Sequence, residues 1–452
     1  MKLIVDPSLF AGYIGRAHNF TDRTSSAKKT LTCVLIEADA EKGTVRFTAE
    51  SPISAVQFSV SDGIEIAESG SILVNSTWLL TALNVVTPNG IPTEADEADD
   101  APKKKKGKAA PRVTIEAETD ASLYVHSGKA ESRLSTIPYQ GSDLHIPSIG
   151  EIETSAGLEF EPQDFADAFN LGSSSYDSVT TSVGREICVQ YLDDLDGVRF
   201  ASTDKTSMSY AVTTKASPTG ADQTEFNILL DPISLGPAFG YFAQGDKVTL
   251  YKDEDNETIS HFLVTSKEGA VLYHVQINNL SFAFENYPIK QLIERMAKGI
   301  VKDINGTLRV DKFQLLSLFR RAEQMGALNP SENGGQGKTV HVKLDKTSLK
   351  ATIPGDASFK DDINVRSWDG SELAFDFKWG LYGNMLSRFP SDDTINIAFI
   401  ERTLKPLEEG GEPRKKVIAM ALFTDEQADE VEDGALPNNY LCVIPVAGEY
   451  TK

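Results

Sequence analysis

Only three cysteines occur in the 452 residues, and there are just three tryptophans and six histidines. Cys33, Cys188 and Cys442 each sit in an apolar run (LTCVLI, EICVQYL, YLCVIPV), where a small buried thiol on a strand is the ordinary reading. An odd count, with no CxxC pair and no clustering with histidine, supports neither a disulfide framework nor a zinc site. A reducing cytoplasm is the expected home. No apolar stretch is long enough to span a bilayer, and MKLIVDPSLF has too short an apolar run to act as a signal peptide. A soluble chain that is not exported is expected, with no membrane partner.

Signatures of catalysis are also lacking. The histidines at 18, 126, 145, 261, 274 and 341 form no HxxxH or HxxE arrangement, and no serine lies in GxSxG. His126, His261 and His274 fall inside strand-like runs and read as structural. GGQGKT at 334–339 ends like a phosphate-binding loop, but Glu332 stands where its first glycine belongs, and a strand rather than a helix follows. The acidic turns LDDLDG and KDEDNE do not have calcium-loop spacing. No enzyme, cofactor or metal is expected.

Positive charge is in deficit. A formal net charge of −22 and a sequence pI near 4.8 argue against a general nucleic-acid-binding coat. Any DNA contact must come from a local basic face.

What the chain does have is repetition. RVDKFQLLSLFRRAEQM, at 309–325, places Phe313, Leu316, Phe319 and Ala322 on one side of a helix, with Gln314, Ser317, Arg321 and Gln324 on another. Two similar openings, DPSLF at 6–10 and EPQDF at 161–165, put an acidic residue and a proline before a helical apolar pattern. The anchors Phe10, Phe165 and Phe313 are 155 and 148 residues apart. A strand running into a second helix recurs at SILVNSTWLLTAL, FNILLDPISLGPAF and LAFDFKWGLYGNML. Its junctions Asn75, Asp231 and Lys378 fall 65, 66 and 65 residues after those anchors. The spacing predicts three tandem α+β domains, each with two helices and roughly eight strands, at 1–150, 151–285 and 286–452, the last opening with a connector. Such a length suits three domains of about 150 residues. TVRFTAES and AVQFSV alternate as antiparallel strands with one buried face. Residues 89–111 pass from an acidic block to Lys103–Lys106 and Lys108 with few apolar residues, and read as a mobile loop insertion, solvated or touching DNA or a partner.

Three tandem copies in an acidic chain, with MKLIVDPSLFAGYIGRA at the start, VRFASTD in the middle copy and a terminal YLCVIPV, resemble the bacterial-type sliding clamp, the β subunit of replicative DNA polymerase III. Lys205, Thr206 and Ser207 depart from the family's glycine-histidine-arginine. Lys378 stands for its asparagine, and the chain runs on past Pro445. Such divergence would suit a phage-encoded version.

The resemblance implies a non-enzymatic processivity factor. Two chains would close head to tail, helices lining a hole for double-stranded DNA and antiparallel sheets outside, with a clamp loader and the replicative DNA polymerase as partners. The inner-face candidates are Arg16, Arg23, Lys312, Arg320 and Arg321. The middle copy carries no base in EPQDFADAFN. The family's peptide pocket would use Thr203, Thr206, Met208, Pro288, Ile293, Ile444, Pro445 and Val446. The competing readings are a monomeric processivity factor or interaction scaffold that does not encircle DNA, and an enzyme with an unrecognised site.

Overall fold

In the computed structural model, the residues described are all but 23–27, 88–111, 120, 140–151, 153–155, 177–184, 193–195, 204–206, 221–225, 254–255, 257, 280–303, 329–338, 355–357, 379–385, 388, 390–392, 405–413, 428–439 and 446–452. Outside them fall the lysine-rich loop, the GGQGK segment, the connector and most of the residues that would carry the third copy's second helix.

Among the described residues, three of the four longer helices begin on a side-chain cap. In α1 (Pro7–His18), the Asp6 carboxylate accepts from the Ser8 and Leu9 amides, and Pro7 occupies the first turn, where an N–H would be unpaired anyway. In α2 (Ser76–Val86), Asn75 accepts from the Trp78 amide. Glu161 and Pro162 open α3 (Pro162–Gly172), and Asp311 caps α4 (Lys312–Ala327) through the Gln314 amide. Residues 232–242 break the expected pattern. Instead of one helix there are short turns, Pro232–Leu235, Gly236–Ala238 and Phe239–Phe242, because Pro237 removes a backbone donor in mid-pattern.

One unit comprises 1–162, 217–223 and 233–279. Its strands lie side by side in the order Gly157–Phe160, Lys247–Lys252, Ile259–Thr265, Val271–Asn278, Ser54–Val60, Thr44–Glu50, Cys33–Asp39, Gly70–Asn75, Ala130–Ile137, Ser122–Ser127, Val113–Thr119, Lys2–Val5 and Ile64–Glu68. Its core carries a run of rings. Phe10 meets Phe47 at 5.7 Å, Phe47 stacks on Phe58 at 5.3 Å, and Phe58, Tyr273, Tyr241 and Phe20 follow at 5.5, 5.3 and 5.6 Å. Burial of each phenylalanine contributes about 1.5–3 kcal/mol, and the offset rings add direction.

The other unit comprises 163–216, 224–232 and 280–452. One sheet runs Asn227–Leu230, Ile187–Leu192, Gly197–Thr203, Met208–Thr213, Tyr440–Pro445, Arg414–Phe423, Thr394–Leu404, Ile304–Asp311 and Ser367–Trp368. A second runs Phe359–Asn364, Ser348–Ile353, Thr339–Leu344 and Leu373–Lys378. Neighbouring strands in these three orders all pair antiparallel. Against these sheets α4 buries Leu315, Leu316, Leu318, Phe319 and Ala322, whereas Phe313 is 65% exposed. The expected apolar face was therefore right at Leu316, Phe319 and Ala322 and wrong at Phe313: the stripe takes in Leu315 and Leu318 and turns the first-turn ring to solvent.

All three cysteines are free and buried on strands, and burial pushes the Cys188 thiol up to about 12. Among the described residues no helix is long and apolar enough to cross a membrane, and no cluster of three or more metal-ligating side chains occurs.

Candidate DNA-facing helices and partner hairpin

The five basic candidates have different surroundings. Arg16, near the end of α1, is half-buried. Its guanidinium donates to the Tyr273 hydroxyl at 2.6 Å and lies 5.7 Å from the Tyr13 ring centre, while Tyr241 donates to its backbone carbonyl at 2.8 Å. Burial raises the Tyr273 pKa and Arg16 opposes the rise. Lys312 donates through Nζ to the Phe389 carbonyl at 2.6 Å. Arg321 donates to Ser317 and to the Asp361 carboxylate. Arg320 is exposed and, among the described residues, makes no hydrogen bond or ion pair. Arg23 lies outside the described residues. Three of the four described candidates are thus already engaged within the fold, which leaves Arg320 the cation most available to a ligand.

The hairpin candidates come together in part. Thr203 and Met208 face each other across the end of the strands Gly197–Thr203 and Met208–Thr213, and Met208 lies opposite Val443 on the neighbouring strand Tyr440–Pro445. Ile444 and Pro445 continue that strand opposite Met420 and Ala419. Both Thr203 and Met208 are buried, and Thr203 Oγ1 donates to the Ser207 carbonyl at 2.7 Å. Thr206, Pro288, Ile293 and Val446 lie outside the described residues.

Two strand junctions share one register. In the meander Cys33–Asp39, Thr44–Glu50, Ser54–Val60, Phe58 stands opposite Phe47 and, on its other side, opposite Tyr273. In the meander Ile187–Leu192, Gly197–Thr203, Met208–Thr213, Ala211 stands opposite Phe200 and, on its other side, opposite Tyr440. The matching VRF triplets at 45–47 and 198–200 make Phe58 equivalent to Ala211 and Tyr273 equivalent to Tyr440. A third meander, Thr339–Leu344, Ser348–Ile353, Phe359–Asn364, ends on a strand whose outer edge has no partner among the described residues.

Sequence reasoning missed these long-range partners. Tyr273 is 257 residues from Arg16, and no local pattern announces such a pairing. The VRF repeat was the one signal that carried register information.

No family model and no curated protein sequence matches the chain. Solved structures do. The β chain of DNA polymerase III from Streptococcus pneumoniae is similar with a TM-score of 0.73 at 14% identity, over 99% of this chain and 100% of that one. The DNA polymerase sliding clamp from Bacillus subtilis is similar with a TM-score of 0.73 at 14% identity, over all of both chains. The sliding clamp from Bartonella birtlesii, solved bound to griselimycin, is similar with a TM-score of 0.71 at 15% identity, over 99% and 100%. The chain has the sliding-clamp fold, an α+β architecture of antiparallel sheets and few helices.

Proposed function

We propose that the chain is a DNA sliding clamp, a processivity factor without chemistry of its own, built of three tandem domains at 1–150, 151–285 and 286–452. Two copies close head to tail around duplex DNA in the cytoplasm. A loader opens the ring, and the replicative polymerase binds through a peptide pocket at the Thr203–Met208 hairpin and the strand Tyr440–Pro445. Topology keeps such a ring on DNA, so each contact can be weak enough to slide. Phosphate contacts from Arg320, and from the candidates Arg16, Arg23, Lys312 and Arg321, hold the duplex without reading its sequence. An acidic exterior repels DNA elsewhere.

The observation that carries the reading is the pair of edges left over by the repeat. At two junctions the third strand of a meander pairs with the last strand of the next copy. The third meander's Phe359–Asn364 has no such partner among the described residues. Ala130–Ile137, the last strand of the first copy, is paired beyond Ser122–Ser127 only at Thr136 and Ile137. Phe359–Asn364 buries one residue and Ala130–Ile137 none, whereas Ser54–Val60 and Met208–Thr213 each bury four. Unpaired edges invite a further strand. Lys360 and Asp362 on one edge suit Glu131 and Arg133 on the other. One copy's third meander is thereby matched to a second copy's first domain, and the reciprocal contact closes the ring.

The test is native mass by light scattering across a dilution series. Closure requires twice 49.2 kDa. A strict monomer at micromolar concentration contradicts it and leaves the scaffold that does not encircle DNA.

A further inference from the structure

The end of α3 is tied to the hairpin by two serines that no contact proposed above requires. Ser202 Oγ donates to the Gly172 carbonyl at 2.6 Å, and Ser209 Oγ donates to the same oxygen at 2.9 Å. The Ser175 amide lies 3.1 Å from each hydroxyl oxygen, and the two hydroxyls are 3.1 Å apart. Ser202 and Ser209 stand opposite each other on the two hairpin strands, and all three serines are buried. A hydroxyl has one donor and two acceptor positions, so each serine can serve both the orphan carbonyl of the helix end and the amide beyond it.

Close approach is built in. A Cβ on Gly172 would fall 2.4 Å from the Phe200 carbonyl oxygen, so only glycine lets the helix end come this near the strand. Affinity between helix and sheet comes from elsewhere: Phe165 and Phe169 pack on Phe200 at 5.5 and 6.4 Å. Apolar packing of this kind is non-directional. The serine clasp adds direction, and it acts one residue before Thr203 and one after Met208.

We infer that Ser202 and Ser209 are positioning residues for partner binding, which hold the facing strand ends at Thr203 and Met208 where a peptide-like ligand is recognised. The inference rests on the proposed pocket. Because both hydroxyls serve the same two groups, either alone keeps the clasp closed. Loss of both leaves a buried donor and acceptor unpaired, worth roughly 10-fold or more in an equilibrium.

The experiment uses the full chain as S202A, S209A and the double variant. Griselimycin, the compound held by the Bartonella clamp, is titrated by calorimetry, and exchange of the Ser175 amide is followed in parallel. The expected result is a change of at most about 3-fold for each single variant and about 10-fold or more weaker binding for the double one. Ser175 exchange should accelerate only in the double variant, and the thermal midpoint of that variant should fall by a few degrees. Rescue by S202T in the S209A background would reinforce the role. Wild-type affinity in a double variant whose Ser175 amide has lost protection overturns the positioning role and spares the pocket. Protection retained in the double variant overturns the clasp itself. A wild-type chain that ignores griselimycin refutes the pocket reading and the positioning role with it.

Discussion

His261 and His274 form a buried pair whose protonation is linked to stability. His274 Nε2 lies 3.2 Å from His261 Nδ1, and His261 Nε2 lies 3.1 Å from the Asp253 carboxylate. Both rings are buried, and His274 Nδ1 has no hydrogen-bond partner among the described residues. Burial lowers the His261 pKa against the opposing bond to Asp253. Burial, then the neighbouring ring, pushes His274 down to about 3. Tyr251 and Gln276 lie opposite His261, and Leu263 and Gln57 opposite His274, so no second carboxylate in those facing positions receives an added proton. A folded pKa below the unfolded value of about 6.5 means that stability is fully present above that pH and declines as pH falls toward about 3. Urea unfolding should be flat between about pH 7 and 8 and, as pH falls below that, lose up to about 1.4 kcal/mol per pH unit for each histidine. Between about pH 6.5 and 5, ordinary carboxylates contribute little. An unfolding free energy that stays level across that interval contradicts the buried neutral pair. None of this was visible in the sequence beyond two histidines in strand-like runs, because their 3.2 Å approach depends on the register of two strands.

At the scale of elements, the edge strand Phe359–Asn364 gives the sharpest expectation. The Asp362 amide donates to the Asp361 carboxylate at 2.9 Å. Proline at 362 would remove that donor and block a further strand on the edge. If two copies pair through this edge as proposed, D362P should leave the circular dichroism spectrum unchanged while light scattering moves from dimer to monomer. A variant that remains dimeric places the interface elsewhere. Helix starts were readable because their causes are local: Asp6, Asn75 and Asp311 cap within three residues, and Pro7 fits a first turn. Strand alternation and the VRF repeat were readable for the same reason. Phe313 and the broken 232–242 segment were not, since helical spacing alone does not say which of two apolar stripes meets the core. Of the candidate site, the hairpin was found from VRFAST, whereas Ser202, Ser209 and the tyrosines around Arg16 act across distances that local pattern does not encode.

For the molecule as a whole, a net charge of −22 and a DNA-binding role are compatible if binding is topological rather than adhesive. A protein held by surface phosphates alone loses affinity steeply with salt, because released counterions drive the binding. A closed ring is indifferent to that loss while the DNA has no end. The measurement that tests this most directly loads the chain onto circular duplex with a compatible loader, raises the salt, and follows retention before and after one restriction cut. The ring account predicts retention on the closed circle at high salt and release once the circle is linear. Release from the intact circle at high salt, or equal retention on circle and line, would contradict it.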